Sequence, residues 1–392
     1  MSYGTLAESS VFLKEESTEG TYVAPASASD ALEILEDGYA INYTRESIET
    51  KTLDGNREPS ETRVGIPNVE GTVSVYSKAN TTAGGKPPAA LLFKSLLGGE
   101  RQVTSQVTTK STGNTTTFLT VEDADIAKFK VGDIVKVLEA GKHEVRPISA
   151  ITSTSGSAGI TFPFALLNTP SASVKIEKCT TYYPSETSSS MSLTEYMSDA
   201  IEAQVSGIKA VSASLKGWET GKIAQWDFKL QGLNYSKSVA APSYDPSFAG
   251  LAATPVILSA CIWLGSDKIA YNNFDLAIEN TNSFIKSACA EQGKIASRFT
   301  DLKITGSINP YMELDDVARF DLFEANTSVS LFGYCYNPAA TAGEIKEVVA
   351  FYMPKVKITE IPNTSLDGVM VDSIKFSAHR TNGGDSIFLG FI

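Results

Sequence analysis

For chemistry, this 392-residue chain offers two histidines, four cysteines and a surplus of carboxylates. His143 and His379 lie far apart, and neither stands in a spacing that would present a nucleophile to a general base. Cys179, Cys261, Cys289 and Cys335 are dispersed, with no Cys-x-x-Cys pair. They read as buried thiols made in a reducing compartment rather than as a disulfide framework. Gly84-Gly85-Lys86 has the look of a phosphate-cradling loop, but Asn80 stands where the first glycine is needed and Pro87 follows the lysine. The Gly-x4-Gly-Lys-Ser/Thr requirement therefore fails at both ends. Asp123 and Asp125 open like a calcium loop without the glycine and distal glutamate that would complete it. Asp315 and Asp316 suit the positive end of a helix better than an acid–base pair. These residues predict a protein that is not an enzyme and uses no cofactor or metal.

The chain is organised around one stretch, Ile41 to Ser77, which carries a run of charged residues of both signs. It opens on Ile41 and Tyr43 in alternation and closes with Val69, Gly71, Val73 and Val75 on one parity, the pattern of strands with one buried face. Between them a long polar loop is expected, with Arg45, Lys51, Arg57 and Arg63 among Glu46, Glu49, Asp54, Glu58 and Glu61. Mixed charge of this kind suits a contact that fixes register between subunits. The pattern recurs from Phe274 to Met312: laying Gly71 on Gly306 places Val69, Val73 and Val75 on Ile304, Ile308 and Pro310. The second loop then carries Lys286, Glu291, Lys294 and Arg298. A helix is predicted after each copy. One begins near Pro88 and stops at Gly98, with Leu91, Leu92 and Leu96 on one face; the other spans about 314–327 and stops near Asn326.

In these features the chain resembles the tail tube (major tail) proteins of tailed bacteriophages. The resemblance is carried by the acidic run from Glu46 to Arg57, the V-x-G-x-V-x-V strand, the following LLFKSLLGG helix, and the later I-E-N block with L-K-I-T-G-S-I. It covers most of the chain except residues 100–180. It implies a mainly β protein of two tandem tube-type β-sandwich domains, each with one short helix and each supplying strands to a barrel around a lumen. It also implies that Glu16, Gly20 and Thr21 belong to a turn in an N-terminal arm (residues 1–30) reaching a neighbouring ring, and the mixed charge of the first loop makes that loop the expected contact with the next ring. Since single-domain members form six-subunit rings, a chain with two such domains fills the same places with three copies, a pseudo-hexamer. Expected partners are further copies, other tail proteins (sheath or terminator, tape measure, baseplate or tip), and genomic DNA passing through the lumen unbound. Localisation follows: the virion tail, made and assembled in the host cytoplasm.

Composition agrees with that reading. A net charge of −12 and a pI near 4.9 argue against gripping nucleic acid by its phosphates, and imply an acidic wall that repels a polyanion. No run is long and apolar enough for a membrane span, and the first residues lack a secretory pattern. The domains are expected at 1–99 with 179–240, and at 241–392, the Ser/Pro/Ala stretch near 235–250 being the boundary. Residues 100–178 read as short strands separated by turns, an inserted small β-barrel on the outer surface that could be removed without loss of the tube. The competing reading is a β-rich adhesion or carbohydrate-binding protein. The aromatics at the centre of the insert are Phe129, Phe162 and Phe164, which suit a small core better than a sugar platform.

Overall fold

A computed structural model describes residues 9–49, 61–139, 141–170, 173–198, 200–248, 252–258, 260–290, 292–312, 317–338, 343–366 and 368–392. In chain order the first elements are β1 (Ser10–Glu15), β2 (Tyr39–Glu49), β3 (Thr62–Tyr76), helix α1 (Ala90–Leu97) and β4 (Gly98–Val103). Short strands follow: β5 (Val107–Thr108), β6 (Phe118–Thr120), β7 (Ile134–Glu139), β8 (Lys142–Pro147), β9 (Ala150–Thr152), β10 (Gly159–Thr161) and β11 (Lys175–Ile176). Next come β12 (Cys179–Pro184), β13 (Met191–Met197), β14 (Ile201–Glu219), β15 (Gln225–Gly232) and β16 (Asn234–Val239). The remainder is β17 (Ala260–Leu264), β18 (Asp267–Ile269), β19 (Tyr271–Lys286), β20 (Lys294–Pro310), α2 (Ala318–Glu324), β21 (Val329–Pro338), β22 (Ile345–Glu360), β23 (Asn363–Leu366), β24 (Val369–Asp372), β25 (Ile374–Ala378) and β26 (Phe388–Phe391). The chain is mainly β.

The alternating apolar segments assemble into one antiparallel central sheet, ordered β2-β3-β15-β14-β19-β20-β25-β22. Its inner face is built by the period-two residues Val69, Val73, Val75, Phe228, Leu230, Leu276, Ile278, Ile304, Ile308 and Phe376, all buried. The same series of pairings occurs twice. Gly71 lies between Ile41 and Leu230, and Gly306 lies between Leu276 and Phe376. A Cβ on Gly306 would collide with the Asp275 carbonyl and the Phe376 ring, which is why the matching position in both copies is glycine. Even the irregularities match: the register shifts between Ala210 and Ser212 in β14, and between Ile358 and Glu360 in β22. Each of these long strands bends at its bulge and enters a second sheet behind the first. β14 joins β1, β13 and β16, whereas β22 joins β17, β21, β26, β12 and β4.

Helix α1 forms where its leucine spacing predicts and ends at Gly98, whose φ of 88° suits the residue type. Phe93 fills the space between the sheets, 5.2 to 5.7 Å from the rings of Tyr182, Trp226, Phe228 and Phe391. Helix α2 is shorter than predicted and has no fully buried residue; Asp315 and Asp316 lie outside the described residues.

Within the expected N-terminal arm, β1 pairs along its whole length with β13 of the same chain, from Ser10↔Tyr196 to Glu15↔Met191. The expectation for the insert is corrected. The insert forms two small sheets, β6-β10-β9 and β5-β11-β7-β8, instead of a closed barrel. It is not a module hung from the first half, because its core is continuous with the outer sheet of the second. Phe164 stacks on Phe332 at 5.3 Å, and Ile134, Val145 and Phe162 share a cluster with Tyr352, Phe388 and Ile392. Short strands separated by turns cannot by themselves show which sheet covers them.

Candidate assembly surface

The outward face of the central sheet carries the residues between the buried ones: Asn42, Thr44, Thr72, Ser74, Ser212, Ser214, Thr305 and Ser307, short and polar. Its charges are mixed. Glu70, Asp227, Asp275, Glu279 and Glu360 are interspersed with Lys216, Lys229, Lys303, Lys357 and Lys375. Lys216 pairs with Asp227 at 2.7 Å and Lys375 with Glu360 at 2.6 Å, in exposed contacts that contribute at most about 1 kcal/mol each. The net charge of the chain is therefore not expressed on this face.

Beyond the edge of the central sheet two hairpins overhang. The pairing of β2 with β3 continues to Glu49↔Thr62, so Arg45, Glu46, Glu49 and Arg63 stand on strands, exposed, and not in the predicted loop. Glu61 directly precedes β3, 3.7 Å from Arg63. Lys51, Asp54, Arg57 and Glu58 lie outside the described residues, as does Glu291. Arg45 donates to the Tyr43 hydroxyl at 2.8 Å, and Tyr43 stacks on Tyr235 at 5.0 Å. In the second hairpin Lys286 closes β19 opposite Lys294, while Arg298 sits deeper, opposite Ser283 in mid-strand. Lys294 places its ammonium 4.0 Å from the centre of the Phe284 ring. Burial, and next the nearby Lys286, push its pKa below the usual lysine value. The two hairpins meet: Arg45, Ile66 and Pro67 line one cleft with Lys286, Gln292 and Gly293. Sequence alone places these groups in separate loops; the fold makes Arg45 and Lys286 neighbours.

A polar cluster that sequence reading found only in part holds the second hairpin to the body. Glu16 is buried, and its carboxylate accepts from the Gly20 N–H at 2.9 Å, the Gly207 N–H at 2.7 Å, and the Ser190 and Ser192 hydroxyls at 2.8 Å. The Glu16–Gly20 spacing signals this turn. Nothing in the sequence signals the next link: Glu19 accepts from the Ser297 N–H at 2.6 Å and from Lys209 at 3.0 Å, and Lys209 also donates to the Ser297 carbonyl at 2.8 Å. The N-terminal turn thus ties β14 to the second hairpin.

The groups considered for chemistry are used structurally. His143 Nδ1 accepts from the Ile345 N–H at 3.2 Å, joining the insert to β22. Cys179 and Cys335 are buried, and burial pushes the Cys335 thiol up to about 12. Cys289 is exposed, contrary to the expectation for all four thiols. Among the described residues no group of His, Cys, Asp and Glu is placed to hold a metal, and no helix is long and apolar enough to cross a membrane. The described residues form a β-rich body with a small-residue polar face, two overhanging hairpins and strand edges open to further pairing. No curated protein matches the chain. The family model for phage tail tube proteins matches residues 7–378, nearly the whole length, and the chain belongs to that family.

Proposed function

We propose that this protein is the subunit of a ring-built tail tube, in which three copies close one ring and rings stack around a channel for DNA. The observation that carries this reading is the duplicated sheet: β2-β3-β15-β14 and β19-β20-β25-β22 repeat one arrangement, down to the matching glycines and bulges. Each half is one tube unit, the first built from residues 1–99 with 179–240 and the second from 241–392. Three chains then supply six near-equivalent wall segments with true threefold symmetry. Joining two units covalently also halves the number of separate pieces that must be ordered when a ring closes. The outward polar face lines the lumen, where balanced charge and short side chains offer DNA neither a phosphate-binding patch nor a stacking platform. Other tail proteins meet the ends of the tube, and assembly takes place in the host cytoplasm.

Electron microscopy of the purified protein with symmetry determination tests this. Hollow tubes whose rings have threefold symmetry are expected. Monomers that never assemble would overturn the tube, and rings with true sixfold equivalence, an insert on every subunit, would overturn the trimer.

The overhanging hairpins are proposed as the contact between rings, with Arg45, Glu46, Glu49, Glu61 and Arg63 of the first and Lys286, Lys294 and Arg298 of the second facing the neighbouring ring. Lys51, Asp54, Arg57, Glu58 and Glu291 are assigned to the same contact from sequence. Deleting Asp54–Ser60 is expected to leave a folded monomer and stop tube growth. Tubes of normal length from that deletion would remove the assignment.

A further inference from the structure

Resting on the ring reading, we propose that neighbouring copies join by strand pairing between β2 of one and the β22–β23 edge of the next, in the register that β14 and β19 already use within one chain. Among the described residues the central sheet has two edges with no further strand beside them, β2 and β22 running on into β23, and an unpaired edge is a template for another strand. The internal junction between the two halves shows what fits such an edge. There Ser212 lies opposite Glu279, Ala213 opposite Ile278, and Leu215 opposite Leu276.

The duplicated pairings translate that junction residue by residue. Leu276 and Ile41 both face the matched glycines, so Ile278 corresponds to Tyr43 and Glu279 to Thr44. Ala210 and Ile358 both precede the matched bulge, so Ser212 corresponds to Glu360 and Ala213 to Ile361. Between copies the register is therefore Glu360 opposite Thr44, Ile361 opposite Tyr43, and Asn363 opposite Ile41.

Backbone direction provides an independent check. The Ser74 N–H donates to the Gly38 carbonyl, so the even-numbered residues of β2 turn toward β3, while Ile41 and Tyr43 turn their N–H and C=O outward. On the other edge the Ser373 N–H donates to the Pro362 carbonyl. Pro362 therefore faces β25, where its missing N–H does no harm to the edge, and Ile361 and Asn363 turn outward. The translated register sets outward residue against outward residue on both strands, as an antiparallel ladder requires. Side chains agree as well: Tyr43 is 37% exposed, whereas Ile278, its counterpart at the closed junction, is 0% exposed.

Cysteines at Thr44 and Glu360, in a Cys289→Ser background, test the register. Both side chains are exposed, and their counterparts Glu279 and Ser212 are directly opposite one another. Oxidised tubes of Thr44→Cys/Glu360→Cys are expected to give a covalent ladder that ends at a closed trimer. The slipped pair Asn42→Cys/Glu360→Cys should give about tenfold less, because a two-residue shift carries the Cα atoms beyond disulfide reach. In the unmodified protein, hydrogen exchange at the Ile41, Tyr43, Ile361 and Asn363 amides should be fast in the monomer and protected in tubes. Tubes that form without this cross-link, or with those amides still unprotected, would overturn the register and leave the ring reading standing. Failure of the unmodified protein to form rings at all would overturn both.

Discussion

Excising residues 107–176 and joining β4 to β12 is expected to give a chain that aggregates instead of a slimmer tube. The segment covers an apolar face of the second half: Phe332, Tyr352 and Phe388 are almost fully buried, and Val348 and Ile392 lie in the same cluster. Burying a large apolar side chain contributes about 1.5–3 kcal/mol, so uncovering several approaches the whole stability of a domain, about 5–15 kcal/mol. The exposed patch would also lie on a sheet already presenting strands, a combination that favours association. Size-exclusion chromatography and binding of a hydrophobic dye to the excised chain measure the outcome. A soluble monomer that still builds tubes of smaller outer diameter would show that the contact is dispensable.

Glu16→Ala is expected to be the most damaging single substitution in the first half, costing about 3–5 kcal/mol. The carboxylate is acceptor to two backbone N–H groups and two serine hydroxyls, brought from the N-terminal turn, the approach to β13, β13 itself and β14. Removing it leaves those donors in a dry site, and each unsatisfied buried donor costs about 1–3 kcal/mol unless water enters. Glu16→Gln should recover little, because an amide presents an N–H₂ where acceptors are needed. The effect should reach the second hairpin, since the same turn carries Glu19 to Ser297. Urea unfolding gives the stability change, and limited proteolysis near Lys286–Lys294 gives the loosening of the hairpin. A midpoint unchanged from the parent would mean that water replaces the carboxylate without loss.

What the sequence by itself determined here is what local chemistry determines. The alternation around Gly71 and Gly306 placed the buried face of β3 and β20, because side chains alternate across a strand whatever lies beyond it. The leucine spacing and Gly98 placed α1 to within two residues of its observed start. The family was legible too, since it rests on the order of such segments. Strand length was not. Arg45, Glu46 and Arg63 read as loop residues because they are charged and bury nothing, yet β2 and β3 keep pairing through them, since a ladder is held by backbone hydrogen bonds that ignore side-chain polarity. The partner of the insert was not legible either: Phe164 reads as core in any small β unit, and only packing assigns it to Phe332, far along the chain. Likewise Lys209 and Glu19 look like surface charges until the fold places both against Ser297. Local pattern therefore decided which residues turn inward, whereas the tertiary structure decided what they meet, because contacts between distant segments depend on a chain path that no short window contains.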